Sequence, residues 1–340
     1  MGQHDNGLAS RDSLHLLRIS EGFTPARAVQ LAAELGLADL LADGPRDAGE
    51  LAAATSCHPG AVYRLLRALA AEGVFTETEP GRFALTAVGE RLRADHPQSL
   101  HAWVRFQAMS NEVYAAAMHS VRTGEPTFPV VYGSPIFQYL EDNPEQGALF
   151  NTAMAQHSRL LATVMAEAYD FSTTRTIVDV GGGDGSFLSG LLASWPDTNG
   201  VVYDLPYVAD AARKQLASAG LGERCSFVGG DFLRDVPAGA DAYVLKGVIH
   251  NWPDDHAATI LRNCRQAMAG DGRVLLIEWL VPPADVPHPS KLIDLSMLLV
   301  YGGRERTEQE YLALFADAGL RLSRVLAATP LTVVEAVAAH

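Results

Sequence analysis

Residues 176–187 read TIVDVGGGDGSF, a run of β-formers that breaks into glycines and passes toward a helical pattern. Such a run narrows the possible folds more than any other feature of the chain. A strand ending in glycines ahead of a helix brings bare backbone and the free N–H groups of a helix start to one point, ready for a ligand. From Ile177 onward, strand-like runs alternate with helical patterns, which predicts a parallel sheet wrapped in helices. Strands are expected at 176–181, 200–204, 225–228, 241–246 and 272–281. Two further apolar segments, 319–327 and 331–338, meet at Pro330 and are expected to add an antiparallel pair at the sheet edge.

The ligand of the glycine turn is narrowed by what the turn lacks. A phosphate-cradling loop needs Lys followed by Ser or Thr, and none follows Gly185. The dinucleotide pattern G-x-G-x-x-G fails as well: its last glycine falls on Ser186 counted from Gly181, and on Leu188 counted from Gly183. Asp179 and Asp184 flank the turn. They would repel a pyrophosphate and favour a nucleoside carrying positive charge, such as an ammonium or a sulfonium.

The first hundred residues have another character. Val62, Leu65, Leu66 and Leu69 recur at helical spacing, and "VFTETEPGRFALT" follows as two strand-like runs around Pro80–Gly81. This is the outline of a helix-turn-helix with a wing. Between Arg46 and Asp95, however, six basic residues face seven acidic ones, and the would-be recognition helix offers Arg64 and Arg67 alone. Neutralising several phosphates requires more cations than that, so DNA binding is disfavoured. The apolar spacing of Ala28, Leu31, Leu35, Leu37 and Leu40 suggests packing against a second copy instead. Three segments are expected: a winged-helix dimerisation domain over 1–100, a helical linker and pocket lid rich in aromatic and Met residues over 101–170, and a cofactor-binding domain over 171–340.

A net charge of −14 argues against nucleic acid and anionic membranes as partners. No apolar run reaches the roughly 18 residues that span a bilayer, and the N-terminus shows neither a signal core nor a myristoylation pattern, Asn6 standing where that pattern wants Ser or Thr. The odd set Cys57, Cys225 and Cys264 lacks metal-ligand spacing and suggests a reducing compartment, so a cytoplasmic protein without a metal is expected.

A nucleoside in the glycine turn calls for an acid at the end of the next strand, and Asp204 lies 23 residues after Gly181. "VGGDFL" then offers Asp231 as acceptor for an exocyclic amine and Phe232 as a flat apolar face. Each signal is weak alone, since an Asp after a strand is often a helix cap; three at the tips of successive strands are strong.

With "VDVGGGDG", "GGDF", "LKGVIHNWPDDHA" and "GGRERTEQEY", the chain resembles the S-adenosylmethionine-dependent O-methyltransferases of the caffeate and hydroxyindole type, in particular the bacterial branch that tailors antibiotics. The resemblance spans the whole chain. It implies a class I methyltransferase fold, a Rossmann-like doubly wound sheet with an antiparallel edge strand, joined to an N-terminal dimerisation domain that is all helical apart from its wing. A homodimer is implied too.

A neutral imidazole is the natural base for a phenolic proton, and His250 sits just beyond the strand 241–246 on the same sheet edge as Gly181, Asp204 and Asp231. The resemblance gives His250 that role and flanks it with Glu278 and Glu305, the latter as its orienter. It further implies cofactor contacts from Asp179, Gly181, Gly183, Asp204, Leu205, Gly230, Asp231, Phe232, Lys246 and Trp252, and from Phe150, Met154 and Ser158 in "FNTAMAQHS". Phe106, Met109, Asn251, Asp294, Met297 and Leu298 are implied for the acceptor pocket. Many relatives carry Asp where this chain has Asn251, so one charge beside the base is missing. His157 and His256 read as structural. The expected reaction is methylation of a phenolic hydroxyl of an aromatic metabolite. The alternatives are N-methylation, a non-methylating reaction on the same fold, and a cofactor-sensing winged-helix regulator.

Overall fold

The computed structural model describes residues 6–328 and 331–339, with side chains over 11–327 and 331–339. Pro330 and the first five residues of the stretch searched for targeting signals lie outside these. Two compact units divide the chain, residues 1–109 and 110–340.

The N-terminal unit packs helices around a small sheet. Asp47 starts the helix Ala48–Ala54 with a capping box, accepting from Gly49 N at 2.7 Å while Glu50 reaches back to the Asp47 amide. Pro59 occupies the first turn of the helix Pro59–Ala71, where its missing N–H costs nothing. Three strands, β1 (Arg46–Asp47), β2 (Phe75–Glu79) and β3 (Arg82–Leu85), form an antiparallel sheet in the order β1-β3-β2. The β2–β3 pair is the wing, turned at Gly81 with φ of 81°. Leu37, Leu51, Leu66, Phe75 and Phe83 form the unit's own core. That core also takes Ala28 and Leu37, with Leu35 and Leu40 packed against it. Of the five residues expected to face a second copy, Ala28 and Leu37 are buried within the unit and Leu31, Leu35 and Leu40 are half-buried. Among the described residues of this unit the exposed large apolar side chains are Leu14, Leu16, Leu17 and Ile19 on the helix Asn6–Ser20, with Phe23 and Val88.

The second unit opens with helices, the longest of them Pro144–Ala168, and continues with a seven-stranded sheet. Its strands are β4 (Thr176–Val180), β5 (Asn199–Asp204), β6 (Cys225–Gly229), β7 (Ala242–Lys246), β8 (Arg273–Glu278), β11 (Leu320–Ala328) and β12 (Leu331–Ala338), in the order β11-β12-β8-β7-β4-β5-β6. Five strands run parallel, while β12 and β11 are antiparallel at one end. β4, β7 and β8 are near-continuous apolar runs because helices cover both faces. A separate parallel pair, β9 (Leu280–Val281) and β10 (Arg306–Thr307), lies beyond the end of β8.

Chain order reverses between β4 and β7, so a crevice opens at their carboxyl ends, the place where ligands of such sheets bind. The helix Ser186–Ser194 that follows the glycine turn packs tightly on Pro144–Ala168. A Cβ on Gly190 would stand 2.7 Å from that of Ala162, so glycine is what permits the approach. Among the described residues no helix is long and apolar enough to cross a membrane.

Candidate active site

Every chemistry-bearing residue singled out around the sheet emerges at its carboxyl edge. Gly181 and Gly183 follow β4 with φ of 72° and 58°, a region that favours glycine. A Cβ on Gly181 would also meet Val248 at 2.9 Å, so the turn lies directly against the loop after β7. Gly183 N donates to Asp204 Oδ2 at 2.8 Å, and Leu205 N to Asp204 Oδ1 at 2.6 Å. This fixes the carboxylate at the end of β5 and leaves acceptor capacity on both oxygens. Gly230 is glycine for a packing reason, since a Cβ there would sit 2.1 Å from the Tyr203 hydroxyl oxygen.

Asp179 is buried beneath the turn. Burial pushes its pKa up to about 7 against the pull of Lys246, and its Oδ2 has no hydrogen-bond partner among the described residues. For Lys246 the same burial outweighs Asp179 and Glu278 and lowers the pKa. After β6, Asp231 accepts from Leu233 N at 3.0 Å, and the Phe232 ring meets Trp252 edge-on at 5.7 Å. His256, read as structural, stacks on the other side of Trp252 at 5.6 Å.

His250 lies in the loop after β7, on a single 3₁₀ turn, Ile249–Asn251. Its Nδ1 is 2.8 Å from Glu305 Oε1 and 3.4 Å from Glu278 Oε2. Glu278 ends β8 and also accepts from the amides of Val248 and Ile249 at 3.2 and 2.9 Å. Both glutamates are buried. Burial would lower the pKa of His250, but the charges of Glu278 and Glu305 and the hydrogen bond to Glu305 outweigh it and raise the value. Burial likewise pushes Glu278 up to about 7, opposed by the charge of His250. Each glutamate keeps one buried oxygen, Oε2, without a hydrogen-bond partner among the described residues. His250, Glu278 and Glu305 also place ligand-type atoms within 4.8 Å of one another, a grouping that sequence spacing does not reveal.

The segment 294–306 braces this loop. Asp294 Oδ1 accepts from Glu305 N at 2.8 Å, so its carboxylate holds the backbone of Glu305 in place. A π-helical turn, Met297–Tyr301, then leads into Gly302–Gly303, and Gly303 packs so tightly that a Cβ would stand 2.1 Å from the His250 carbonyl oxygen. Arg304 N donates to that carbonyl at 2.9 Å. Asn251 donates its side-chain amide to Gly247 O at 3.1 Å and so ties the loop to itself.

Phe150, Met154 and Ser158 recur every four residues on one face of the helix 144–168. Phe150 meets Phe137 edge-on at 6.3 Å, and Phe137 lies 6.0 Å from Tyr301, an aromatic group the sequence reading did not assemble. His157 was read as structural. Burial first, and then the charges of Lys246 and His250, lower its pKa to about 4, which places it in the field of the site. Met297 is buried and Leu298 half-buried, whereas Phe106 and Met109 belong to the N-terminal unit.

A doubly wound sheet whose glycine turn carries no basic residue, with an acid at the next strand end, defines a class I methyltransferase. The chain matches the O-methyltransferase domain family over residues 114–321 and the O-methyltransferase dimerisation domain family over 17–95, and it belongs to the O-methyltransferase family. It is 42% identical to phenazine O-methyltransferase PhzM of Lysobacter antibioticus, across 94% of this chain and 95% of the relative. It is 43% identical to O-demethylpuromycin-O-methyltransferase of Streptomyces alboniger, across 94% and 88%. The crystal structure of CalO1, a methyltransferase in calicheamicin biosynthesis in its SAH-bound form, superposes with a TM-score of 0.85 at 39% identity, covering 97% of this chain and 98% of that one. A relative 34% identical across 87% of this chain and 81% of its own length, aclacinomycin 10-hydroxylase RdmB of Streptomyces purpurascens, carries the name of a different reaction.

Proposed function

We propose that this O-methyltransferase transfers the methyl group of S-adenosylmethionine to a phenolic hydroxyl of an aromatic secondary metabolite, with His250 as general base. The observation that carries the reading is the 2.8 Å contact between His250 Nδ1 and Glu305, made on the same sheet edge as the glycine turn. A hydroxylase needs no oriented base for an acceptor hydroxyl, and an amine acceptor needs one less.

The residues present fit the donor. The bare glycine turn gives the backbone room to approach, Asp204 retains acceptor capacity for two vicinal hydroxyls, and the unpartnered Oδ2 of Asp179 favours a nearby cation. Phe232, with Leu205, Gly230 and Asp231, offers an edge for the adenine, and Lys246, Trp252, Phe150, Met154 and Ser158 are proposed to complete the site. When bound, the donor supplies an electrophilic methyl on a sulfonium.

With Glu305 on Nδ1, the proton of the neutral ring stays on that nitrogen and the lone pair stands on Nε2. Nε2 takes the acceptor's hydroxyl proton, and the two carboxylates hold the imidazolium that results. Base catalysis of this kind contributes on the order of 10²–10⁴ in rate. Asn251, Asp294, Met297 and Leu298 are proposed to bound the acceptor.

The working form is proposed to be a cytoplasmic homodimer joined through residues 17–95 and binding no nucleic acid. The dimerisation-domain match, the three unpaired cysteines and the balanced charge of the wing region support this. The test is formation of S-adenosylhomocysteine with a panel of phenols. His250→Ala should abolish turnover while calorimetric binding of the donor persists, and full activity of that variant on a phenol would overturn the reading.

A further inference from the structure

We infer that Arg306, a residue with no contact to the reacting groups, is a positioning residue that sets the geometry of the general base. The inference rests on the reading of His250 as that base.

Arg306 lies in the two-residue strand β10, paired with Leu280 of β9, and its side chain is fully buried. Its guanidinium spends its donors on one short loop. Nη1 donates to Ile249 O at 3.0 Å, Nη2 to Trp252 O at 2.8 Å, and Nε and Nη2 both to Asp254 Oδ1 at 3.1 and 2.7 Å. Residues 249, 252 and 254 bracket His250. The loop is therefore held from two sides, its amides at 248 and 249 by Glu278 and its carbonyls by Arg306. The neighbouring residue Glu305 holds the ring itself, so the orienter of the base and the clamp of its loop are consecutive residues of one segment.

The electrostatics favour this over a merely structural ion pair. Burying a guanidinium is costly, and its one hydrogen-bonded carboxylate, Asp254, is more than half exposed, which weakens the attraction. Hydrophobic residues would fill the space at less cost. A planar fork is the group that can meet two carbonyls and a carboxylate at once, and a lysine cannot, because its donors leave from a single atom. The Trp252 carbonyl it holds belongs to the residue whose ring packs on Phe232, so the same clamp aligns the proposed adenine edge with the base.

The test compares Arg306→Lys, Arg306→Ala and Asp254→Asn with His250→Ala. Donor affinity is measured by calorimetry, and kcat with a phenol at saturating donor. Misplacement of a reacting group by about 1 Å can cost roughly a hundredfold, so Arg306→Lys should lose about 30–100-fold in kcat while donor affinity stays within about threefold. Arg306→Ala should regain activity with added guanidinium and not with methylammonium, a readout that loss of packing would not produce. Native kcat in a folded Arg306→Lys protein would overturn the inference, as would a fall in kcat that only mirrors lost donor affinity. Should Arg306→Lys fail to fold, the rescue of Arg306→Ala decides, and no recovery with guanidinium would overturn the inference; Asp254→Asn keeps the carbonyl contacts and should hold kcat within about threefold of native, a larger loss there placing the effect on the ion pair and overturning the inference. Loss of activity in His250→Ala alone leaves the base reading standing and removes the clamp; an active His250→Ala removes both.

Discussion

Glu278, at the end of β8, and Glu305, in the loop just ahead of β10, reach the same nitrogen of His250, Oε1 of Glu305 at 2.8 Å and Oε2 of Glu278 at 3.4 Å. Two buried carboxylates on one ring nitrogen leave the opposite nitrogen as the base, and they make protonation of the ring easier than burial alone would allow.

A pH profile follows from that raised pKa. The base works as the neutral ring, so the rate falls as pH drops through the folded-state pKa, and the acid limb should lie above the ordinary histidine value of about 6.5. Glu278, pushed up to about 7, titrates with His250, so the limb reports the pair. Glu305→Gln keeps an acceptor for Nδ1–H and removes a charge. The limb should then move to lower pH, with kcat reduced about tenfold to a hundredfold. Turnover of a phenol across the range from about pH 5 to about pH 9 checks both.

Gly303 has no room for a side chain, because a Cβ would meet backbone at His250 O and Asn251 Cα, 2.1 and 3.0 Å away, and backbone cannot rotate aside. Gly303→Ala should cost about 1–3 kcal/mol in stability and displace the base loop, so turnover should fall far more than donor affinity. Gly270→Ala is the control, since nothing stands within 4 Å of its Cβ position. Thermal melts and calorimetry on the two variants separate the effects.

Much of the fold is legible in the sequence because β4, β7 and β8 are buried on both faces and must be apolar throughout, while Asp204 stands at the spacing a strand–helix–strand unit imposes. The pairing of His250 with Glu305, 55 residues apart, carries no spacing signal and came from resemblance. Arg306 was less visible still. It grips backbone carbonyls, and every residue type supplies those. The β9–β10 pair is too short to show alternation, and a π-helical turn has no residue signature, so the brace over 294–306 could not be drawn beforehand. Ala28 and Leu37, expected at a dimer surface, are buried inside the unit: periodicity marks a buried face without saying what buries it.

Donor affinity should depend on Asp204 more than turnover does. Burial raises its pKa, while the amides of Gly183 and Leu205 pull it back down and hold the carboxylate in place. Asp204→Ala removes both this scaffold and the proposed ribose acceptor. A lost charged hydrogen bond of about 1.5–3 kcal/mol corresponds to a rise of roughly tenfold to a hundredfold in Kd. With saturating donor, kcat should recover to within several-fold of native, because His250 and its glutamates are untouched. Calorimetry with S-adenosylhomocysteine and kinetics at two donor concentrations check this.

The helix Asn6–Ser20 supplies the last prediction. Leu14, Leu16, Leu17 and Ile19 fall within six positions and are 61, 68, 54 and 62% exposed. Isolated exposed aliphatic residues are ordinary, but Leu14 and Leu17 on one side of the helix and Leu16 and Ile19 on the other leave apolar surface that water disfavours and a partner would cover. The dimerisation-domain match begins at residue 17, inside this helix, so a second copy is the expected cover. Stable dimers bury roughly 1,200–2,000 Å² or more, and two charges in the middle of such a patch should suffice to break it. Leu16→Asp with Leu17→Asp should therefore sediment as a monomer at concentrations where the native chain is dimeric. Glycine turn, Asp204 and Asp231 all belong to the second unit, so the monomer should still bind the donor within about threefold of native affinity, by the same additivity that holds for distant sites. A variant that stays dimeric would place the interface elsewhere on the chain.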